Sequence, residues 1–257
     1  MSTAREGLRR VLAAVAAGEV SVARAEAEIS ASLANDAVRN FAKLDAAREV
    51  RTGFPEVVFG QGKRPEHVVS IFARAQERGM ALFGTRISPE VADLVSAEVS
   101  GITYYPEARI AAVHATPSVP DDDCFDVSVL TGGTADLEVA EEAAVTLELN
   151  HIAPRRVYDV GVAGIDRLLK QTDVLRKSKV IIAVAGMEGA LPSVVAGLVD
   201  CPVLAVPTSV GYGASFQGLV PLLAMLNGCA PGVSVVNIDN GFGAAAMAKK
   251  ILETAKR

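Results

Sequence analysis

The chain has 257 residues, of which 50% are hydrophobic, and its formal net charge at pH 7 is -5. This length and apolar fraction are ample for a buried core, in either one large domain or two smaller ones. The acidic balance argues against a general nucleic-acid-binding protein, since neutralising a phosphate backbone needs a basic surface, whereas a nucleotide needs only a few local groups.

The sequence carries no signal for a membrane segment, for secretion or for a structural metal. No stretch approaches the roughly 20 apolar residues of a membrane span, and the N-terminus lacks the apolar region of a signal peptide. The 3 cysteines and 3 histidines are scattered, without a CxxC pair or an HExxH motif. We therefore expect a cytoplasmic protein that has neither a disulfide framework nor a structural zinc site.

Residues 1–114 are rich in charge and predict a small α+β domain. Helical spacing ends at Gly18, and Ser21 opens a second helix that runs to about Leu33. The next segment begins helically at 41, breaks at Gly53 and Pro55, and continues as a strand in PEVVFG. The elements expected after it are a helix from Pro65 to Arg78, a strand at 80–85, a helix that begins at Ser88-Pro89 and a strand at 108–113.

Residues 115–123 combine prolines with aspartates and are predicted to be an interdomain linker. From residue 124 to 257, apolar strand-like runs alternate with helical patterns. Strands are predicted at 125–133, 155–162, 179–186, 202–208 and 233–239, and a closing helix at 241–256. Near-continuous apolar strands between helices predict a three-layer α/β domain, with a parallel, flavodoxin-like sheet covered on both faces. Ligands bind beyond the carboxyl ends of such strands, so the candidate site residues lie there.

The first strand of this half ends in Thr131-Gly132-Gly133-Thr134-Ala135-Asp136. Glycines let a backbone approach a ligand closely, and the following helix N-terminus offers N–H groups to an anion. Thr131 and Thr134 add hydroxyls, and Asp136 either holds a ribose hydroxyl or caps the helix. The run predicts a substrate-binding turn, with an ordinary capped turn as the alternative.

The third strand ends in Gly186-Met187-Glu188, between glycines and apolar residues. We expect partial burial to raise the pKa of the Glu188 carboxyl towards neutrality, which suits a general base. The alternative is a first-turn glutamate that the helix dipole favours.

The fourth strand ends in a loop of small residues that contains Ser209, Tyr212 and Gly213. Tyr212 could stack on a ring or hydrogen-bond a phosphate, although a plain loop also accommodates Gly-Tyr-Gly. The helix after this loop has an apolar run that we assign to the core: Leu222, Leu223, Met225 and Leu226.

Cys229 follows that helix in a glycine-rich terminus and is a candidate nucleophile. Two considerations leave the alternative of a small core residue open. A lone cysteine in an apolar protein is usually part of the core. A helix C-terminus also disfavours the thiolate, so reactivity would require a nearby cation.

The run from Ala185 to Pro207 resembles the PurE family, the aminoimidazole ribonucleotide carboxylases and mutases. That family has a glycine-rich strand end, an AHLPG-like turn and a PVIGVP-like strand, and the counterparts here are TGGTAD, GALPS and PVLAVP. The PurE histidine before Leu-Pro is Ala190 in this chain, which argues against purine-type carboxylation.

The two halves together resemble the LarB family, the pyridinium-3,5-biscarboxylic acid mononucleotide synthases of nickel-pincer cofactor synthesis. The resemblance covers FAKLDAAREVRTGFPEVVFGQGK, TRIS, ARIAAV, TGGTADLEVAEEAA, GVAGIDRLL, VAGMEGALPSVVAGL, PTSVGYGASFQG and LNGCAPGVSVVNIDNGFGAA. It implies a PurE-like second domain that carboxylates the pyridinium ring of nicotinic acid adenine dinucleotide, using carbon dioxide or bicarbonate. It also implies cleavage of the phosphoanhydride with release of AMP.

The resemblance further implies roles for individual residues. A catalytic cysteine and glutamate of the family match Cys229 and Glu188, so that the thiolate adds to the ring and the carboxylate removes its proton. The family depends on magnesium, with no organic cofactor. Asp239 is a candidate magnesium ligand, although the following Asn240-Gly241 equally suggests a turn.

Arg48, Arg51 and Lys63 lie in the family-like N-terminal segment and could grip phosphates, or they are surface charges. PurE-like proteins are octamers, so a homo-oligomer, and by analogy an octamer, is expected. Two other functions stay open: a PurE-like purine carboxylase, and a non-catalytic nucleotide-sensing module that binds without turnover.

Overall fold

The computed structural model describes residues 4–33, 36–118 and 125–256. Contacts divide the chain into two compact units, Met1–Tyr104 with Arg109–Thr116 and Tyr105–Ala108 with Pro117–Arg257. The predicted linker at 115–123 falls in part on residues outside the described ranges. Within the described ranges, no helix combines the length and the apolar character needed to cross a membrane.

The N-terminal elements are α1 (Ala4–Ala16), α2 (Val22–Leu33), β1 (Asp36–Val38), β2 (Ala42–Leu44), α3 (Arg48–Thr52), β3 (Val57–Phe59), α4 (Pro65–Glu77), β4 (Leu82–Thr85), α5 (Pro89–Glu98), β5 (Ile102–Tyr105) and β6 (Ile110–Val113). Four of the strands form a mixed sheet in the order β3-β4-β6-β5, in which β4 pairs parallel with β3 and antiparallel with β6. The expected α+β class is confirmed.

Local signals explain where the helices of this unit begin. Pro65 and Pro89 occupy the first turns of α4 and α5, where a missing N–H costs no hydrogen bond. Ser88 caps α5, because its Oγ accepts the N–H of Val91 at 3.4 Å. The buried Phe72 of α4 belongs to a core cluster that also contains Leu82 of the sheet.

Two N-terminal predictions were wrong or incomplete. The segment that was expected to begin helically at 41 instead contains β2, which pairs antiparallel with β1 and buries Leu44. A partner strand upstream decides this, and helical spacing within the segment does not reveal it. The short edge strand β5 was not predicted; its four residues are only partly buried or exposed, so the pattern of apolar residues is weak.

The C-terminal elements are β7 (Val127–Thr131), α6 (Leu137–Glu148), β8 (Pro154–Val157), α7 (Ile165–Leu169), α8 (Thr172–Leu175), β9 (Val180–Ala185), α9 (Leu191–Ala196), β10 (Val203–Pro207), α10 (Leu219–Leu226), β11 (Val233–Val235) and α11 (Gly241–Ala255). The five strands pair in the order β11-β10-β9-β7-β8, and every pairing is parallel. The predicted three-layer, flavodoxin-like α/β fold is confirmed.

Alternate residues of β9 belong to the two faces of this sheet. Val180, Ile182 and Val184 belong to the cluster that also holds residues of α6 and α11. Ile181 and Ala183 belong to the cluster formed with residues of α7, α8, α9 and α10. Because both faces are covered, β9 is apolar at every position, which is the continuous pattern that predicted a buried parallel strand.

The expected core role of the apolar run in α10 was half wrong. Met225 is buried, whereas Leu223 and Leu226 have exposed fractions of 55% and 62%. The α10 helix covers the sheet with one side only, so its outer side presents leucines that have no cover within the described part of the chain. The last strand is also shorter than predicted, since β11 ends at Val235.

The strand order places a crevice at one edge of the sheet. From β7 the chain passes to β8 on one side, while β9, β10 and β11 follow on the other. The loops that leave the carboxyl ends of β7 and β9 therefore diverge, and this topological switch point is where open α/β sheets bind ligands.

A cavity at the carboxyl edge of the parallel sheet

A cavity of about 490 Å³ opens at the switch point. It is large enough for a ring and its attached sugar, since small-molecule sites span about 300–1,000 Å³. The loops after β7, β8, β9 and β10 all contribute to its wall: Gly132, Gly133, Ala135, Asp136, Gly161, Val162, Ala163, Ala185, Gly186, Met187, Glu188, Ala190, Leu191, Val210, Gly211 and Tyr212.

Asp136 is the polar centre of this wall and is only 5% exposed. Its Oδ1 accepts the hydroxyl proton of Thr208 at 2.7 Å, and its Oδ2 accepts the N–H of Gly133 at 3.0 Å. The carboxylate therefore links the end of β10 to the turn after β7. Burial raises the pKa of Asp136, and the bonds from Thr208, Gly133 and Gly186 only partly oppose this shift.

Glycines allow the four loops to approach one another closely. A Cβ at Gly161 would lie 2.4 Å from the carbonyl oxygen of Gly132, and one at Gly186 would lie 2.3 Å from that of Val210. Both contacts are with backbone atoms, which cannot swing aside as a side chain can. The glycine-rich texture of the strand ends thus reflects packing between loops as well as access for a ligand.

Glu188 lines the cavity but its side chain is exposed. The expected burial of this carboxylate is therefore not found in the single chain. Its neighbours Met187 and Gly189 both adopt left-handed backbone conformations, with φ of 52° and 66°. Gly189 packs against Pro221 of α10, where an added Cβ would lie 3.1 Å from the proline Cα.

Seven of the predicted site residues meet at the cavity: Gly132, Gly133, Asp136, Gly186, Met187, Glu188 and Tyr212. Tyr212 projects from the rim with an exposed fraction of 81%. Tyr212 therefore lines the cavity while most of its side chain remains accessible to solvent.

Four other predicted residues flank the cavity without lining it. Thr131 is fully buried, and its Oγ1 accepts the N–H of Asp159 at 3.0 Å, so it holds the loop after β8. The exposed Thr134 begins the turn before α6. Ser209 donates its N–H to Asp239 Oδ1 at 2.7 Å, and Gly213 begins the 3₁₀ segment with a left-handed φ of 60°.

Cys229 is an exposed free thiol that follows α10 and does not line the cavity. Gly232, three residues later, accepts the N–H of Val203 at the first position of β10. The preceding Gly228 faces α9, since an added Cβ there would lie 2.8 Å from the Oγ of Ser193. Of the two predicted catalytic residues, Glu188 is therefore among the residues that line the cavity and Cys229 is not.

The basic residues that were predicted to contact phosphates, Arg48, Arg51 and Lys63, each contact a group within their own unit. Arg51 binds the Asp45 carboxylate with both terminal nitrogens, at 3.0 and 2.6 Å, and this pairing lowers the pKa of Asp45. Arg48 forms an ion pair with Glu56 at 3.5 Å, and Lys63 donates to the carbonyl of Phe59 at 2.9 Å.

The described side chains near the cavity are too few to hold a magnesium ion by themselves, so they fit the ion only when substrate phosphates supply further ligands. The described residues contain no group of three or more histidine, cysteine, aspartate or glutamate side chains placed to hold a metal. Asp136 follows β7 and Asp239 follows β11, and each already accepts a hydrogen bond. Magnesium is commonly held by one or two carboxylates together with substrate phosphates, which is the arrangement that these residues permit.

Sequence reasoning missed two parts of the site. The loop after β8 contributes Gly161, Val162 and Ala163, none of which was predicted as a site residue although they begin the family-like run GVAGIDRLL. Thr208, the partner of Asp136, was recognisable as a hydroxyl at the end of β10, but its bond spans 72 positions of sequence.

Comparison with known proteins places both halves of the chain in known families. Residues 35–115 match the family described as LarB/PurE-like N-terminal domain, and residues 126–257 match the AIR carboxylase family. An uncharacterized protein of Methanocaldococcus jannaschii is 39% identical over 252 residues, which cover 95% of this chain and 96% of that protein.

Other relatives correspond to about half of the chain. An N5-carboxyaminoimidazole ribonucleotide mutase of Methanocaldococcus jannaschii is 35% identical over 131 residues, covering 49% of this chain and 78% of that protein. The mutase of Pyrococcus horikoshii is 30% identical over 137 residues, covering 49% and 71%. Among solved structures, a single-substitution variant of the Treponema denticola PurE2 protein aligns over 50% of this chain and 79% of its own, with 27% identity and a TM-score of 0.40.

Proposed function

Since this chain belongs to the LarB family, in which a LarB/PurE-like N-terminal domain precedes an AIR carboxylase domain, we propose that it carboxylates the pyridinium ring of nicotinic acid adenine dinucleotide. Both domains support a carboxylase-related function. In the proposed reaction, carbon dioxide or bicarbonate supplies the new carboxyl group. Cleavage of the phosphoanhydride then releases AMP and pyridinium-3,5-biscarboxylic acid mononucleotide.

The main support for this proposal is the acidic character of the strand-end cavity. Its described lining includes the carboxylates Asp136 and Glu188 but no lysine, arginine or histidine. The other lining groups are mostly small or apolar. Such a wall is complementary to a flat, positively charged ring and repels a phosphate, so the pyridinium end of the dinucleotide fits it.

Ala190 distinguishes this cavity from that of a purine carboxylase. It lines the wall with a methyl group at the position where the PurE family has a histidine. An enzyme that relied on an imidazole there would lack its acid–base group in this chain. The site needs a different means of activating a ring carbon.

A thiolate provides that means. A pyridinium ring is electron-poor and does not attack carbon dioxide directly. When the Cys229 thiolate adds to a ring carbon beside the target, its electron pair forms a C–S bond and the ring becomes a neutral enamine. The nucleophilic β-carbon of this enamine then attacks carbon dioxide and forms the new C–C bond.

Glu188 completes the substitution by removing a proton. The carbon that has gained the carboxylate still carries its hydrogen, and a carboxylate at the cavity wall accepts it. The electron pair of that C–H bond restores the enamine, and expulsion of the thiolate then restores the aromatic pyridinium. Asp136, held by Thr208 and Gly133, is the residue that we assign to a ribose hydroxyl beside the ring.

Magnesium is expected to enter with the diphosphate. It would polarise the anhydride for attack by water. Asp239, whose Oδ1 accepts the N–H of Ser209 at the end of β10, is the residue that we assign to its coordination. The arginines Arg48 and Arg51 and Lys63 are proposed to contact phosphate, in exchange for their present local partners.

The direct test incubates the protein with nicotinic acid adenine dinucleotide, bicarbonate and magnesium and follows the products by mass spectrometry. AMP together with a doubly carboxylated mononucleotide is expected. The similarity to N5-carboxyaminoimidazole ribonucleotide mutases makes a PurE-like purine carboxylase the second candidate. Turnover of aminoimidazole ribonucleotide in place of the dinucleotide would favour it, and binding without any turnover would favour a nucleotide sensor.

Replacing the proposed nucleophile gives a sharper prediction. Cys229→Ser should abolish carboxylation, because an alcohol near its ordinary pKa supplies almost no alkoxide at neutral pH. Cys201→Ser is the matched control: Cys201 is partly buried, burial raises the pKa of its thiol, and its loss should leave turnover intact. Full activity in the Cys229 variant would refute the covalent mechanism.

A further inference from the structure

A second cavity, of about 450 Å³, opens at the other edge of the parallel sheet. Asp126, which immediately precedes β7, lines this cavity, whereas Gly132, which immediately follows β7, lines the strand-end cavity. The 5 residues of β7 span about 17 Å, so a full strand separates the two. We call the second one the amino-edge cavity; its wall also includes Phe125, Lys249 and Lys256. Its volume lies within the range of small-molecule sites.

The carboxyl end of α11 presents one side to the amino-edge cavity. Lys249, Leu252, Glu253 and Lys256 all line it. Counted from Lys249, their spacings are three, four and seven positions, which place all four on the same side of the helix. Two lysines thus border the cavity, with an apolar side chain and a carboxylate between them.

Lys249 holds its positive charge in a buried place. It is only 9% exposed, and its Nζ donates to Asn150 Oδ1 at 3.0 Å. The Oε1 of Glu253 lies 3.9 Å from the same nitrogen. Asn150 is itself fixed, because its Nδ2 donates to the carbonyl of Thr146 at 2.8 Å. Since water screens a buried charge weakly, an anion in this cavity would interact with Lys249 more strongly than with a surface lysine.

The rest of the wall suits a sugar and a base. Phe125, Ile152 and Leu252 supply apolar surface, and Asp126 and Glu253 supply carboxylate oxygens that accept the protons of hydroxyl groups. The described lining contains two lysines and two carboxylates. A ligand with a single phosphate therefore matches its charge better than a diphosphate or a triphosphate does.

We propose that the amino-edge cavity binds a nucleoside monophosphate. The phosphate lies beside Lys249 and Lys256, and the base lies against Phe125 and Leu252. The ribose lies between them, with its hydroxyls near Glu253. This site goes beyond the proposed carboxylation and does not require it. If that reaction is correct, AMP is a product, and AMP bound at the amino edge would act on the enzyme without competing for the strand-end cavity.

Photolabelling of the full chain tests where such a ligand binds. Azido-AMP, a photoreactive analogue of AMP, should label peptides that contain Phe125, Ile152 or Leu252, as identified by mass spectrometry. Excess AMP should prevent this labelling. Adenosine and ribose phosphate should protect less well, because the first lacks the phosphate and the second lacks the base. No label in these peptides, or equal protection by adenosine and AMP, would overturn the proposal.

Reversing one exposed charge tests the phosphate contact. Lys256→Glu should raise the concentration of azido-AMP that half-saturates labelling of the amino-edge peptides by about tenfold or more, because one attraction is replaced by a repulsion. Lys256 is exposed, so the fold should be unchanged. Lys250→Glu is the matched control, since Lys250 is exposed on the same helix and is not among the described lining residues. Equal half-saturation in the two variants would overturn the site.

Lys249→Met removes the buried charge and should abolish the labelling, with circular dichroism as the check that the variant folds. A folded Lys249 variant that is labelled as well as wild type would contradict the assignment of the phosphate. None of these measurements needs turnover. A protein that fails to carboxylate the dinucleotide would therefore refute the proposed function and leave the amino-edge site standing.

Discussion

Asp136 shows how one buried side chain holds the strand-end site together. It joins the turn after β7 to the end of β10 through Gly133 and Thr208. Burial raises the pKa of its carboxyl, and the hydrogen bonds lower it by less. The folded protein therefore binds a proton at this position more tightly than the unfolded chain does.

This shift predicts a pH dependence of stability. Because the folded pKa of Asp136 is raised, its favourable contribution is complete below the ordinary carboxyl pKa of 3.8 and declines as pH rises through the higher folded pKa. The difference in the free energy of unfolding between wild type and Asp136→Asn should therefore shrink from pH 4 upwards. Urea unfolding at several pH values measures it, and a difference that grows with pH would contradict the assignment.

Arg156 is the centre of a second buried polar group, on the edge strand β8. It contacts Glu141 at 3.0 Å and Glu148 at 2.5 Å, and Tyr158 donates its hydroxyl to Glu141 at 2.7 Å. Burial lowers the pKa of Arg156, but the hydrogen bonds to the two carboxylates raise this pKa by more, so the guanidinium group stays charged. Burial and the bond to Glu141 also raise the pKa of Tyr158.

Arg156→Ala should destabilise the protein by about 3–5 kcal/mol, because it leaves two largely buried carboxylates without their counter-ion. Urea unfolding at pH 7 measures the change. Lys170→Ala, at an exposed position of the same unit, serves as the control and is expected to stay within about 0.5 kcal/mol of wild type. Equal effects of the two changes would mean that the buried network adds nothing to stability.

At the scale of elements, the loops between strands and helices decide the shape of the cavity. All five parallel strands end at the same edge, and glycines after four of them let the loops pack backbone to backbone. Gly161 does not need a left-handed conformation, since its φ is -60°; it is needed because a side chain would strike Gly132.

Gly161→Ala tests this close approach. The added methyl group should push the loop after β8 away from Gly132 and destabilise the protein by about 1–3 kcal/mol. Dinucleotide binding, measured by calorimetry, should also become weaker. Gly7→Ala in α1 is the opposite case, because nothing lies within 4 Å of its added Cβ. Because alanine has a higher helix propensity than glycine, the Gly7 variant should stabilise α1 by about 0.5–1 kcal/mol. Unaltered stability and binding in the Gly161 variant would show that the loop relaxes freely.

At the scale of the whole molecule, the chain contains two units that each have their own core. One cluster of buried residues belongs to the N-terminal unit, and two clusters, one for each face of the parallel sheet, belong to the second. Each unit therefore has the apolar interior that independent folding requires.

A fragment of residues 117–257 should fold without the N-terminal unit and unfold in one cooperative transition. It retains all five parallel strands and the helices that pack on both faces of the sheet. Circular dichroism during urea unfolding provides the measurement. A gradual, non-cooperative loss of signal would show that the second unit depends on the first.

Much of the fold was predictable because it depends on local patterns. The apolar run of β9 and the proline at the start of α4 are signals within a few residues of the element that they predict. The strand-end rule then placed Gly132, Asp136 and Glu188 at one cavity without knowledge of any contact. The hairpin of β1 and β2 escaped prediction because its signal is a pairing between strands.

The sequence by itself determined the family, the parallel α/β class and the strand ends that form the site, since composition, periodicity and motifs are properties of the chain. Only the tertiary structure decided which side of α10 faces the core, that Thr208 bonds Asp136, and that Cys229 does not line the cavity that Glu188 lines. These depend on how distant segments pack against one another, and nothing within a short stretch of sequence encodes such packing.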